Sequence, residues 1–254
     1  MRITDTHAHL ETAGSCGLLS FVKECAEGGV TTAVVPALSG FPKGLDKPYS
    51  DENVVVLPCA GFHPWYLPSI NPKICSEAID NWFRNFDVSN AVAIGECGLD
   101  AVRLDCPMAT QIAAFNIQLR IASESAKPLI LHCVRAFSEV SASLRECSYK
   151  GKLLAHGFSG SKEIALSWCR NETYFGIGFR AFRAPEKTKK LIDAVGICRI
   201  VLETDSPYQS LSKMPGQGSP KELLDILRQT AKLAEVSEET LADAVETNAR
   251  ALFG

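Results

Sequence analysis

Short runs of β-branched and apolar residues alternate along this chain with longer segments whose apolar positions recur every three to four residues. The short runs cover residues 2–5, 31–36, 54–58, 91–94, 128–132, 152–156, 174–177 and 199–203. They are apolar throughout rather than alternating, as strands buried on both faces are. Helical spacing occupies 17–27, with Leu18, Leu19, Val22 and Ala26 on one face, and 107–124, with Ile112, Phe115, Leu119 and Ala122. Further helices are predicted over 72–86, up to 146, and over 161–169, 185–195, 219–234 and 237–252. Asn71-Pro72 supplies a cap and a first-turn proline, Ser161 and Ser237 are candidate caps, and Gly28-Gly29 is a stop. Eight strands interleaved with helices is the count of a (β/α)8 barrel. The expected architecture is therefore a single α/β TIM-barrel domain over residues 1–254, its site at the C-terminal ends of the strands. An open doubly wound sheet is the alternative, but the N-terminus lacks the glycine-rich turn of a dinucleotide site.

Composition narrows the partners more than the fold. The 254 residues are 46% apolar and 22% charged, with a net charge of −3 and a pI near 6.0. No block of Lys or Arg makes a basic stripe, so sequence-independent duplex binding is not expected. A nucleic-acid substrate would be held locally, by a metal site and a few cations. Ten cysteines include no C-x-x-C pair, and Cys59, Cys97 and Cys133 lie in apolar runs. Scattered thiols in a large core point to a reducing compartment. With no secretion signal and no apolar run near the ~20 residues of a membrane span, the expectation is a cytoplasmic protein with no obligate protein partner.

The five histidines, His7, His9, His63, His132 and His156, all fall at or just beyond the end of a predicted strand. Glu96 and Asp205 end two more. On a strand, residues two apart share a face at about 6–7 Å, so His7 and His9 project side by side. In a barrel all these ends meet at one mouth. Imidazoles and carboxylates together form a ligand set for divalent ions such as zinc, magnesium or manganese. The expected arrangement is two ions: His7, His9 and Asp205 on the first, His132 and His156 on the second, and Glu96 bridging. Two such ions can share a hydroxide, which Asp205 is placed to orient or deprotonate. Asp5 is expected to hold a histidine ring from behind. Taken singly, His132 between Leu131 and Cys133 is also a candidate core histidine, and Asp205 before Ser206-Pro207 a candidate turn residue. No cysteine shows ligand spacing, and neither Ser159 nor Ser206 sits in a nucleophile elbow.

Six ordered motifs carry a resemblance. They are Asp5-Thr6-His7-Ala8-His9-Leu10, Gly61-Phe62-His63-Pro64, Gly95-Glu96-Cys97-Gly98-Leu99-Asp100, His132 with Arg135, His156-Gly157-Phe158-Ser159-Gly160, and Glu203-Thr204-Asp205-Ser206-Pro207-Tyr208. Together they resemble the TatD-type metal-dependent deoxyribonucleases of the amidohydrolase-like barrel superfamily. The resemblance implies divalent metals and phosphodiester hydrolysis, often as a 3′→5′ exonuclease on DNA single strands or ends. It implies metal-ligand positions for His7, His9, Glu96, His132, His156 and Asp205, and a substrate-side position for His63; Arg135 and Tyr208 are further candidate substrate contacts. The chain departs from the pattern at Ala101-Val102, where the family carries an aromatic. It departs again at 178–183, which lacks the usual Thr, and at 213–220, which lacks Arg and Asn. Arg135, Arg180, Arg183 and Lys213 are candidate replacements for phosphate contacts. The altered loops leave a second function open, a binuclear hydrolase of small amides, lactones or esters.

Overall fold

Two parallel sheets carry the eight strand runs, and backbone hydrogen bonds join them edge to edge. The computed structural model describes residues 2–10, 17–210 and 217–254. One sheet runs β1 (Thr4–Asp5), β2 (Thr32–Val35) and β3 (Val55–Pro58), all parallel. The other runs β4 (Ile94–Asp100), β5 (Leu129–Val134), β6 (Leu153–Ala155), β7 (Thr173–Ile177) and β8 (Ile200–Leu202), also parallel. At one seam Val92 N donates to Pro58 O at 2.8 Å and Gly95 N to Ala60 O at 2.8 Å. At the other, Thr6 N donates to Leu202 O at 3.0 Å and Asp205 N to His7 O at 2.8 Å. The strands thus close into the ring of a TIM barrel.

Eight α-helices are present among the described residues: α1 (Leu18–Glu27), α2 (Pro72–Asn85), α3 (Met108–Glu124), α4 (Phe137–Glu146), α5 (Lys162–Trp168), α6 (Pro185–Val195), α7 (Leu223–Ala234) and α8 (Glu238–Phe253). Asn71, Ser161 and Ser237 cap their helices with side-chain oxygens, as their residue types predict. No helix links β2 to β3. That connection contains Gly40, Pro42, Gly44 and Pro48, and carries short antiparallel pairings instead, Ser39–Gly40 with Gly61–Phe62 and Tyr49–Ser50 with β3.

One expectation fails at β4. The predicted run covers 91–94 and leaves Gly95–Asp100 beyond its end, yet the strand runs from Ile94 to Asp100. Both glycines have φ near +144° (144° and 143°), and a Cβ on either would collide with β5, at the carbonyls of Ile130 and His132. They permit close approach between strands rather than ending one. The pairing with β5 shifts register between Ile94 and Cys97, and this irregularity brackets Glu96.

Val34, Cys59, Ala93, Ile130, Leu154, Tyr174 and Val201 form a buried cluster with one member in, or directly after, each of seven neighbouring strand runs, joined by Leu252 of α8. Side chains alternate along a strand, so the same face returns two residues later. From Ile130, Leu154 and Val201 that step leads to His132, His156 and Glu203, and the floor of the site rests on this apolar layer. No helix among the described residues is long and apolar enough to cross a membrane.

Candidate metal centre

The His7–His9 segment runs past β1 but stays tied on both sides. Ala8 N donates to Val34 O at 3.1 Å and His9 N to Ser206 O at 2.8 Å. With the backbone pinned, the two imidazoles converge until their Nε2 atoms stand 3.0 Å apart. Asp5 does not hold a ring, contrary to expectation. It is fully buried, and its carboxylate accepts Thr204 Oγ1 at 2.6 Å, Thr204 N at 3.0 Å and His7 N at 3.3 Å. Its donors are the Thr204 hydroxyl and two backbone N–H groups at the β1–β8 seam, so it clamps the barrel there. Burial pushes its carboxyl up to about 7 despite these donors.

Glu96 lies at the middle of the centre, 2% exposed. Its Oε2 faces His7 Nε2 at 3.2 Å and His9 Nε2 at 3.6 Å. Its Oε1 faces His132 Nδ1 at 2.9 Å and His63 Nε2 at 3.6 Å. Asp205, held at φ 51° in the left-handed region, puts Oδ1 3.8 Å from His7 Nε2 and 3.5 Å from His9 Nε2. Its Oδ2 lies 3.7 Å from His156 Nε2 and accepts Gln209 Nε2 at 2.6 Å. His156 Nε2 is 4.0 Å from Glu96 Oε1, and its ring stacks on His7 with centroids 3.5 Å apart.

These atoms fit a metal. A zinc ion held tetrahedrally at about 2.0–2.2 Å would spread its ligand atoms by roughly 3.3–3.6 Å. The measured separations among His7, His9, Glu96 and Asp205 run from 3.0 to 3.8 Å. Imidazole lone pairs and carboxylate oxygens repel at such distances unless positive charge lies among them. The imidazoles themselves keep the buried acids ionised. Burial pushes the Glu96 carboxyl up, but the imidazoles of His7, His63 and His132 outweigh it and hold it well below the usual range. Burial likewise acts against ionising Asp205, and His156, His9 and His7 overcome it. Burial pulls the His156 ring down, while Glu203 and Asp205 together push it up to about 10.

Two further carboxylates stand behind the rings. Glu203 Oε1 accepts Gly157 N at 2.7 Å and lies 2.9 Å from His156 Nδ1, although that N–H is not aligned on it. Asp100 Oδ2 lies 3.2 Å from His132 Nε2 and is itself fixed by Trp65 Nε1 at 2.7 Å. Sequence reasoning quoted both residues within motifs and assigned neither a role. The signal that singled out Glu96, an acid at the end of an apolar strand, marks them equally.

His63 differs from the other four histidines. Trp65 N donates to its Nδ1 at 3.1 Å, which leaves the ring hydrogen on Nε2. Burial holds this imidazole down to about 3, against the pull of Glu96. His63 therefore presents an N–H into the centre, 3.2 Å from His132 Nδ1, rather than a lone pair.

Above the ligand atoms opens a cavity of about 370 Å³, walled by Trp65, Tyr66, Arg103, Arg180, Arg183 and Tyr208. Arg103 lies over the Trp65 ring at 4.7 Å, and Tyr208 meets His9 edge to face at 5.0 Å. Arg135 lines an adjoining cavity instead. Lys213 lies outside the described residues.

The family model described as "TatD related DNase" matches residues 4–254. A curated relative, the 3'-5' ssDNA/RNA exonuclease TatD of Klebsiella pneumoniae, is 34% identical over 206 residues, covering 77% of this chain and 76% of the relative. The metal-dependent hydrolase YabD of Bacillus subtilis is 27% identical over 261 residues, 98% of each chain. Among solved structures, the TatD homologue YjjV of Escherichia coli superposes with a TM-score of 0.78 at 24% identity, covering 99% of this chain and 97% of that one.

Proposed function

The chain belongs to the TatD-related DNase family and is a metal-dependent hydrolase acting on ester bonds; from that premise we propose that it removes nucleotides from single-stranded DNA or RNA in the 3′→5′ direction. One observation supports this above the others: the two oxygens of Glu96 face separate nitrogen sets, His7 and His9 on one side, His132 on the other. A carboxylate so divided suits a bridge between two cations.

In this proposal His7, His9, Glu96 and Asp205 hold one divalent ion, and Glu96, His132 and His156 the other. Bound there, such ions lower the pKa of water toward about 7 and neutralise charge on phosphoryl oxygens. Asp205 Oδ2, steadied by Gln209, takes the proton from the attacking water. His63 Nε2–H donates to a phosphoryl oxygen, adding a fixed dipole where charge builds. Tyr208 and the lip of Trp65 and Tyr66, the latter half exposed, offer ring faces to a nucleobase without reading its identity. Residues 1–254 act as one domain in this scheme.

The test is an end-labelled single strand incubated with metal-loaded protein, beside a panel of small esters, lactones and amides. Stepwise shortening from the 3′ end, lost in Glu96→Ala and Asp205→Ala, is expected. Turnover of a small ester with DNA and RNA left intact would replace the nuclease assignment with the small-molecule one.

A further inference from the structure

Beside the metal centre lies a second cavity, of about 280 Å³, that shares His132 and His156 as a wall. Its other charged side chains are Arg135, Arg180 and Arg183, and no carboxylate lines it. Among the described residues none of these three guanidinium groups is ion-paired. Arg84, Arg103, Arg120, Arg228 and Arg250 each lie against an acid; among the described residues Arg2, Arg145, Arg170 and Arg199 have no such pair either, so what sets Arg135, Arg180 and Arg183 apart is the one cavity they share beside the centre. A cavity at the other end of the barrel mixes the signs, with Asp51, Glu52 and Glu246 beside Arg2 and Arg250. The three arginines are thus concentrated on one side of the mouth and, among the described residues, left without counter-charge.

Their backbone setting is also unusual. Arg135 sits at φ 52°, in the left-handed region, a conformation that disfavours side chains and is retained where something depends on it. Arg180 and Arg183 occupy the 3₁₀ turn Phe179–Arg183 after β7, and Arg180 N is fixed by Gln209 Oε1 at 3.0 Å. Gln209 also holds Asp205, so one side chain couples this turn to the centre. Both Arg180 and Arg183 line the larger cavity as well, so the two spaces adjoin along these side chains.

We propose that the cavity of Arg135, Arg180 and Arg183 is a second-phosphate subsite, holding the backbone phosphate next to the one being cleaved. The proposal rests on the phosphodiesterase assignment above and adds where the strand lies. A guanidinium offers paired N–H donors matched to phosphate oxygens, and it stays charged at every working pH. A substrate with two adjacent phosphates fills both the centre and the arginine cavity, whereas one with a single phosphate leaves the arginines idle.

The experiment compares wild type, Arg180→Gln/Arg183→Gln and Arg135→Asn, the last chosen because Asn tolerates the left-handed conformation. Metal-loaded protein is given two substrates, an oligothymidylate and bis(p-nitrophenyl) phosphate, which has only one phosphate. On the oligonucleotide, KM is expected to rise about tenfold or more with kcat within about threefold, the pattern of lost uniform binding. On the single-phosphate diester, kcat/KM should fall by no more than about threefold. Binding of a labelled, hydrolysis-resistant phosphorothioate strand gives a second readout. Each lost phosphate contact should flatten the plot of log affinity against log salt by about 0.7.

Unchanged KM and unchanged salt slope in both variants would overturn the subsite. Equal losses on both substrates would overturn it too, because the arginines would then serve the scissile phosphate or the fold. Should the wild type hydrolyse neither substrate, the phosphodiesterase assignment fails, and the salt slope still decides whether the cavity holds phosphate.

Discussion

Nδ1 of His156 lies 2.9 Å from Oε1 of Glu203, on the opposite side of the ring from the nitrogen that faces the centre. A carboxylate behind an imidazole sets its tautomer and raises its basicity toward a cation. Glu203→Gln keeps an oxygen for the Gly157 N–H but loses the charge. Its divalent-metal affinity is expected to fall about 10–100-fold, with secondary structure retained. Competition against a chromophoric chelator measures this, and an affinity equal to wild type would leave Glu203 a merely structural acid.

Elemental analysis of metal-replete protein should give close to two divalent ions per chain. Glu96→Ala, which removes both facing oxygens, should retain one ion or fewer and lose turnover by about 10³-fold or more. Chelation should abolish wild-type turnover and metal addition restore it. A wild-type content that stays at zero under saturating metal would remove the basis of the mechanism.

His63→Asn keeps a side-chain acceptor for the Trp65 N–H while removing the Nε2–H donor. The variant should hold its full metal complement and lose about 10²-fold in kcat, the size expected for one preorganised donor. Parallel loss of metal and activity would make His63 a ligand and contradict the tautomer inferred from its bond to Trp65.

The same residue gives the metal-free protein a pH-dependent stability. The folded His63 takes up a proton only near pH 3, against 6.5 for an ordinary imidazole. Between those values the unfolded chain binds a proton that the folded chain does not. The stabilisation is therefore complete above about 6.5 and is lost as the pH falls toward 3, with a ceiling on the order of 5 kcal/mol. Urea midpoints between pH 4 and 7 should fall more steeply for wild type than for His63→Asn. Parallel curves would show that this imidazole titrates normally.

Asp5→Ala should destabilise the fold by roughly 3 kcal/mol, because the N–H groups of Thr204 and His7 lose a buried acceptor. Asp5→Asn, which retains an acceptor oxygen, should be milder. Equilibrium unfolding in urea measures both, and a loss under about 1 kcal/mol in the alanine variant would argue against a clamp at the β1–β8 seam.

Much of the barrel was legible because its signals are local. Apolar runs with period-two faces, helical stretches and capping residues such as Asn71 and Ser237 act over a few neighbours. The extension of β4 through Gly95–Gly98 was not legible, for the complementary reason. Its glycines answer to the carbonyls of Ile130 and His132, more than thirty residues away, and nothing nearby in the chain records that contact. Asp5 was misassigned in the same way, since its partner Thr204 lies 199 positions along.

Residue type and strand-end position were enough to nominate His7, His9, Glu96, His132, His156 and Asp205, because ligand chemistry belongs to the side chain and strand ends follow from local pattern. Which oxygen of Glu96 faces which imidazole, which ring Glu203 or Asp100 backs, and how Arg135 comes to line one cavity with Arg180 and Arg183 were decided only when the strands closed into a ring. Those are relationships of distance and direction between distant segments, and they arise from packing, in which every strand must fit its neighbours at once.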